Sequence, residues 1–185
     1  MDIKTLKSRL PNWLTYSRIV VIPLMVVCFY VKGELGYLLT SSLFMYAGVT
    51  DFFDGYLARA WNAASNLGRF LDPIADKLLV AVALVLLVSE GRAHVIPAIA
   101  ILTREILVSG LREFLMELHV PLPVSKLAKY KTAVQMLAIY LLLLSTAASH
   151  SLPVDAIAQG LLWIAAALTV ITGYAYCKTG IKHMQ

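Results

Sequence analysis

The chain has 185 residues, is 59% hydrophobic and only 15% charged, and sets 16 Lys and Arg against 11 Asp and Glu for a net charge of +5. Soluble domains run nearer one-quarter charged, so this composition, with a mean hydropathy of +0.76, excludes an ordinary soluble domain and marks an integral membrane protein. The length suits a single membrane domain over residues 1–185 with about six spans, at roughly 20 residues per crossing, and the basic residues gather at span ends, which speaks for membrane orientation rather than nucleic-acid binding.

In chain order, Ile3, Leu6 and Leu10 share one helical face, with Lys4 and Arg9 off it and Lys7 at its edge. This predicts a short N-terminal interfacial helix, with a mobile tail as the alternative. No short apolar stretch with a small-residue cleavage site follows, so the first span reads as a retained anchor. Pro11 and Asn12 predict a break. Spans are then expected at about Trp13–Val31, Tyr37–Arg59, Asp72–Val88, Val95–Leu115, Lys129–Ala148 and Asp155–Cys177. No strand alternation, repeat or low-complexity tract appears, so the expected fold is an all-α, six-transmembrane-helix bundle.

Cys28 and Cys177 lie in apolar runs near opposite ends of the chain and are expected as free thiols. His94, His119, His150 and His183 fall in loops or tails without ligand spacing and are assigned no chemistry. Trp13, Tyr37, Tyr56 and Trp61 sit near expected interfaces as belt residues.

Charge asymmetry orients the bundle. Lys4, Lys7, Arg9, Arg59, Arg69, Arg112, Lys126, Lys129, Lys131, Lys178 and Lys182 fall on one side, whereas the loops of the other carry only Lys32 and Arg92. The positive-inside rule then places both termini in the cytoplasm, together with the connection between the second and third spans.

That connection carries the most informative residues. Asp51, Asp54, Asp72 and Asp76 stand in otherwise lipid-grade sequence, where insertion of each costs about 2.5 to 3.5 kcal/mol if it is left unpaired. Asp51, Asp54, Gly55 and Ala58 share one helical face, and Gly68, Asp72 and Asp76 share another. Facing each other on antiparallel helices, these carboxylates are placed to hold two divalent cations about 3.5–4 Å apart, the spacing of two-metal phosphoryl-transfer sites. Hard oxygen donors without Cys or His favour Mg²⁺ or Mn²⁺. Two other readings stand beside this one: structural ion pairs with Arg59, Arg69 and Lys77, and the ion or proton path of a transporter. Asp72-Pro73 either starts a helix or sits where an earlier-starting helix bends.

The pattern Asp51-x₂-Asp54-Gly55-x₂-Ala58-Arg59-x₈-Gly68-x₃-Asp72-x₃-Asp76 resembles the signature of the CDP-alcohol phosphotransferase family, and every fixed position is met. Within that family, Pro11-Asn12-Trp13-Leu14-Thr15-x₂-Arg18 followed by Pro23 resembles the branch whose acceptor is sn-glycerol 3-phosphate. So do Thr103-Arg104-Glu105, Leu111-Arg112-Glu113 and Ser125-Lys126-x₂-Lys129-x-Lys131-Thr132.

The resemblance implies a substitution at phosphorus. An alcohol attacks the β-phosphorus of CDP-diacylglycerol and CMP leaves. It further implies Asp51, Asp54 and Asp72 as metal ligands, with Asp76 both ligand and general base. Gly55, Ala58, Arg59 and Ser65 are implied contacts of the CDP moiety, with Asn12 and Thr15 closing over it, and Gly68 serving the same site or close helix packing. A dianionic acceptor needs cations on the same side. Arg104, Arg112, Lys129 and Lys131 are the candidates, each with an alternative as a structural ion pair or a juxtamembrane charge. Inositol phosphate, serine or phosphatidylglycerol remain alternative acceptors. A homodimer in a bacterial inner membrane, with its active site toward the cytoplasm, is also implied.

Overall fold

The computed structural model describes residues 3–61, 66–118, 120, 125–147 and 152–182. All regular structure among them is helical: α1 Ile3–Phe29, α2 Glu34–Trp61, α3 Asn66–Ser89, α4 Val95–Glu117, α5 Lys126–Ala147 and α6 Leu152–Lys182. These six helices follow the order and approximate limits of the segments expected to be helical.

One expectation fails. No break occurs at Pro11-Asn12, and the separate interfacial helix is instead the first part of a continuous α1. Proline's fixed φ is itself helical, so it removes one N–H bond without ending the helix. α3 likewise runs through Pro73 from a start at Asn66. Of the two readings of Asp72-Pro73, the earlier start holds, and Asp72 is not a cap.

The helices group into two compact units. One contains α1, α2 and α3 as far as Leu86; the other begins at Leu87 and contains α4, α5 and α6. In the first unit α1 packs on α2, burying Met25, Phe29, Phe44 and Ala47. The hydroxyls of Thr40, Ser41 and Thr50 are satisfied by carbonyls of their own helix: Thr40 Oγ1 donates to Gly36 O at 2.8 Å and Ser41 Oγ to Leu38 O at 2.9 Å. They therefore sit in the interior without an unmet donor. The rings of Phe29 and Tyr37 meet edge-on at 5.5 Å, closing the α1–α2 turn.

In the second unit α4 packs on α6. Ala158, Leu162, Ala165, Thr169, Thr172 and Tyr176 form the buried stripe of α6 at alternating steps of four and three, while Ile101, Val108 and Leu115 repeat every seven residues along α4. That period keeps one seam of each helix inward. Small residues take much of the interior, and Val20, Leu24, Val27, Ile164, Val170 and Ile171 point outward. Apolar side chains thus face outward as well as inward, unlike the polar outer face of a water-soluble bundle. Among the described residues, Leu127–Ser145 and Pro153–Gly180 are long and apolar enough to cross a membrane, and Trp13–Phe29 is a shorter apolar stretch. Cys28 and Cys177 are both free.

α3 ends in a Schellman motif. Gly91 N donates to Val88 O at 3.0 Å and Arg92 N to Leu87 O at 2.8 Å, with Gly91 at φ +67, a conformation that glycine adopts without steric cost. His94 then caps α4, its Nδ1 accepting from Ile96 N at 3.4 Å. Its ring lies 5.6 Å from that of Trp163. Gly91→Ala places a Cβ in the left-handed region and is expected to cost about 1–2 kcal/mol, read as a lower thermal midpoint in detergent; an unchanged midpoint would refute the motif's contribution.

Candidate active site

Three helices of the first unit meet in a charged cluster. α2 supplies Asp51, α3 supplies Asp72 and Asp76 one turn apart, and α1 supplies Thr15 and Arg18. Arg18 is 1% exposed. Its Nη1 lies 2.6 Å from Asp51 Oδ1 and 2.7 Å from Asp76 Oδ1, and its Nη2 lies 3.1 Å from Asp72 Oδ1. Thr15 Oγ1 donates to Asp72 Oδ1 at 2.7 Å. One flat guanidinium thus serves three carboxylates from two helices, which its fan of N–H donors permits and a lysine ammonium does not match.

The expectation that carboxylates from the second and third spans converge is met for Asp51, Asp72 and Asp76. Asp54 lies one turn beyond Asp51 on α2, but its side chain is outside the described ones. The same holds for Asn12 on α1 and for Ala58 and Arg59 on α2; Gly55 is also in α2, and Ser65 falls outside the described residues. Gly68 is partly buried in α3. Thr15, expected over the CDP moiety, stands on a carboxylate. The residue that sequence reasoning left out of the site is Arg18. Its signal was present: a lone arginine in an apolar span requires an acidic partner.

The donor set suits a hard divalent cation. The three carboxylates converge on one centre of positive charge, and their side chains remain 40–49% exposed, so water and ions reach them. With the guanidinium between them, no three His, Cys, Asp or Glu among the described residues form a ready-made ion cage. Asp51, Asp72 and Asp76 fit a cation once their oxygens are released from Arg18.

The second unit holds a cluster of opposite sign. Lys131, fully buried, bonds Glu105, and Arg104 Nη1 lies 3.5 Å from the same Glu105 oxygen. The guanidinium carbons of Arg104 and Arg112 lie 5.7 and 5.8 Å from the centre of one ring, Tyr176 of α6. A Cβ on Gly173 would come within 2.9 Å of Arg104 Cγ, so glycine there makes room for the arginine stem. The Tyr176 hydroxyl accepts from Ser125 N at 3.1 Å, and Ser125 Oγ accepts from Ala128 N at 3.2 Å, which ties the start of α5 to α6.

Of the four cations expected around the acceptor, the structure brings together Arg104, Arg112 and Lys131. Lys129 is exposed and makes none of these contacts. Lys131 and Arg104 share the one Glu105 carboxylate, and Arg112 adds a further guanidinium to the cluster. The Nε–H groups of Arg104 and Arg112 are buried and meet no acceptor among the described residues.

A third polar group is structural. Arg92 Nη1 and Asp155 Oδ2 are 3.0 Å apart, Ser145 Oγ donates to Asp155 Oδ1 at 2.5 Å, and Gln159 Nε2 donates to Arg92 O. These bonds hold the α3–α4 connection to α5 and α6.

A family model described as CDP-alcohol phosphatidyltransferase matches residues 8–171 of the chain. The CDP-diacylglycerol–glycerol-3-phosphate 3-phosphatidyltransferase of Rickettsia felis is 47% identical over 176 residues, covering 95% of this chain and 97% of that protein. The protein of the same description from Haemophilus influenzae is 43% identical over 177 residues, covering 94% of each. That from Pseudomonas fluorescens is 40% identical over 181 residues, covering 95% of this chain and 92% of the relative.

Removing Glu105 strands Lys131 in the interior. Glu105→Ala is expected to lower stability by about 3–5 kcal/mol, and adding Lys131→Met should recover most of it, measured by thermal unfolding in detergent. Equal stability of wild type and Glu105→Ala would show that the pair is not structural.

Proposed function

Because this chain belongs to the CDP-alcohol phosphatidyltransferase family, we propose that it moves a phosphatidyl group from CDP-diacylglycerol to sn-glycerol 3-phosphate, giving phosphatidylglycerol phosphate and CMP. The 1-hydroxyl oxygen of the acceptor forms a bond to the β-phosphorus. The bond from that phosphorus to the CMP oxygen breaks, and CMP departs with the electron pair. Asp76 takes the hydroxyl proton as attack proceeds.

Asp51, Asp54, Asp72 and Asp76 hold two divalent cations, Mg²⁺ or Mn²⁺, which when bound supply positive charge to the pyrophosphate and the leaving CMP. In this reading Gly55, Ala58, Arg59, Ser65 and Gly68 are contacts of the CDP moiety, Arg59 as a fork for the pyrophosphate, and Asn12 and Thr15 close over it.

The observation that carries the acceptor assignment is the pair of arginines over Tyr176. Arg104 and Lys131 share the single Glu105 carboxylate and Arg112 stands with Arg104 at Tyr176, so these four charged residues have an excess of positive charge suited to a phosphate monoester dianion. The relatives' descriptions name glycerol 3-phosphate. Serine and phosphatidylglycerol bring only a carboxylate or a phosphodiester monoanion to the arginine pair; inositol phosphate brings the same dianion, and against it the relatives' descriptions favour glycerol 3-phosphate. Lys129 adds to the field around the same phosphate, and Lys131, buried on Glu105, supports the cluster from within. The outward apolar faces meet lipid, and the six helices span the bilayer as one catalytic domain with both termini and the active site toward the cytoplasm. A homodimer in a bacterial inner membrane completes the reading.

CMP release by the purified protein tests it. Release should require CDP-diacylglycerol, glycerol 3-phosphate and Mg²⁺ or Mn²⁺, stop with EDTA, and fall by at least about a hundredfold in Asp76→Asn, the scale of a lost general base. Release with serine but not glycerol 3-phosphate would overturn the acceptor assignment. Arg104→Ala or Arg112→Ala should raise the KM for glycerol 3-phosphate by about tenfold or more, the loss of one charge-assisted hydrogen bond, while KM for the lipid changes little. Unchanged KM in both variants would remove them from the acceptor site.

A further inference from the structure

We propose that Arg18 is the resident counter-ion of the carboxylate site, a positioning residue that gathers Asp51, Asp72 and Asp76 in the cation-free protein and competes with a divalent cation for their oxygens. The inference rests on reading these aspartates as cation ligands.

Like charges on three carboxylates that approach one point push α2 and α3 apart at that level. Arg18 comes from a third helix, is 1% exposed, and reaches one oxygen of each carboxylate within 2.6–3.1 Å. It therefore holds all three helices at the cluster. A single positive charge cannot balance three negative ones, so the site keeps its attraction for cations while staying assembled. The guanidinium also engages Oδ1 of each carboxylate, an oxygen for which a cation at this site would compete. Coordination must draw each Oδ1 away from Arg18 or bring the ion in beside a fixed positive charge, and both weaken binding.

Removal of Arg18 therefore has two effects of opposite sign. The cation-free protein becomes less stable, and the cation binds more tightly. A residue that only supported the helix packing would lower stability and leave affinity unchanged or weaker. A residue that held substrate would change KM and leave the affinity for Mn²⁺ alone unaffected.

The experiment titrates Mn²⁺ into the full-length protein in detergent, without substrate, reading free Mn²⁺ by electron paramagnetic resonance and the thermal midpoint in parallel. Arg18→Gln should melt below wild type without Mn²⁺, gain more from Mn²⁺ than wild type does, and bind it with a dissociation constant lower by about tenfold. Arg18→Lys, which keeps the charge but not the fork, should fall between them. Recovery of folded Arg18→Gln only when Mn²⁺ is present throughout purification is the same result in stronger form. Should Arg18→Gln fail to fold under any condition, Arg18→Lys decides. An Mn²⁺ affinity equal to or weaker than wild type in the folded variants overturns the inference. Absence of Mn²⁺ binding by wild type overturns the cation-ligand reading itself, which separates the two failures.

Discussion

A carboxylate among apolar helices is tolerated only where positive charge meets it, and Arg18 supplies that charge to three of them. Among the described residues, Thr15 on Asp72 and the Tyr46 hydroxyl on Ser17 Oγ at 3.3 Å also join helices of the first unit, and most other interactions there are nondirectional or local. Apolar side chains fill the α1–α2 seam, and the buried hydroxyls of α2 bond to their own helix. The guanidinium contacts differ because they bind three helices at one level and fix which faces look inward. Rotating α3 by one residue, a turn of about 100°, would carry Asp72 and Asp76 off the guanidinium together, since they share a face. The register of the three helices and the geometry of the carboxylates are therefore one constraint.

The second unit solves the converse problem. Arginines in an apolar bundle need support, and the usual support is a carboxylate. Here one Glu105 oxygen is shared by Lys131 and, at 3.5 Å, by Arg104, and Arg104 and Arg112 both rest against Tyr176 as well. Cation–π contact contributes about 0.5–2 kcal/mol and uses the ring's electrons rather than an anion, so it steadies the guanidinium planes without consuming their charge. Tyr176 is itself fixed through its hydroxyl to Ser125, and Gly173 clears the path of the Arg104 stem.

Much of this was legible in the sequence, for identifiable reasons. Helix limits followed from long apolar runs bounded by charge and by Gly or Pro, and they agree with the structure to within several residues except at the start of α1, which begins at Ile3 rather than Trp13. The same-face spacing of the aspartates predicted their convergence because i, i+3 and i+4 geometry is set by the helix alone. Pro11 was misread because proline marks a boundary in many settings yet carries a φ that a helix accepts. Arg18 was visible as a lone charge in an apolar span, but its partners lie more than thirty residues away and no local rule couples them. Tyr176 had no signal at all, since an aromatic residue in an apolar helix is ordinary. Lys131 was read as a phosphate contact and is buried on Glu105; its neighbour in space comes from another helix. His94, assigned no chemistry, caps α4.

The two clusters share a property that separates binding sites from structural ion networks. A structural network reaches balance, because each unpaired buried charge costs stability. In this protein one guanidinium faces three carboxylates, and in the second unit two arginines are held by a ring that neutralises neither. Pairing each arginine with its own glutamate would make the fold more self-sufficient, yet an incoming phosphate would then have to displace that glutamate before it could bind. Holding arginine on an aromatic face avoids the displacement, and holding carboxylates on a single shared arginine limits it to one competitor. Such imbalance is the local violation of packing rules expected where a ligand completes the structure. Under the proposed function its sign fits the ligand on each side: cations where carboxylates are in excess, and a phosphate dianion where guanidiniums are.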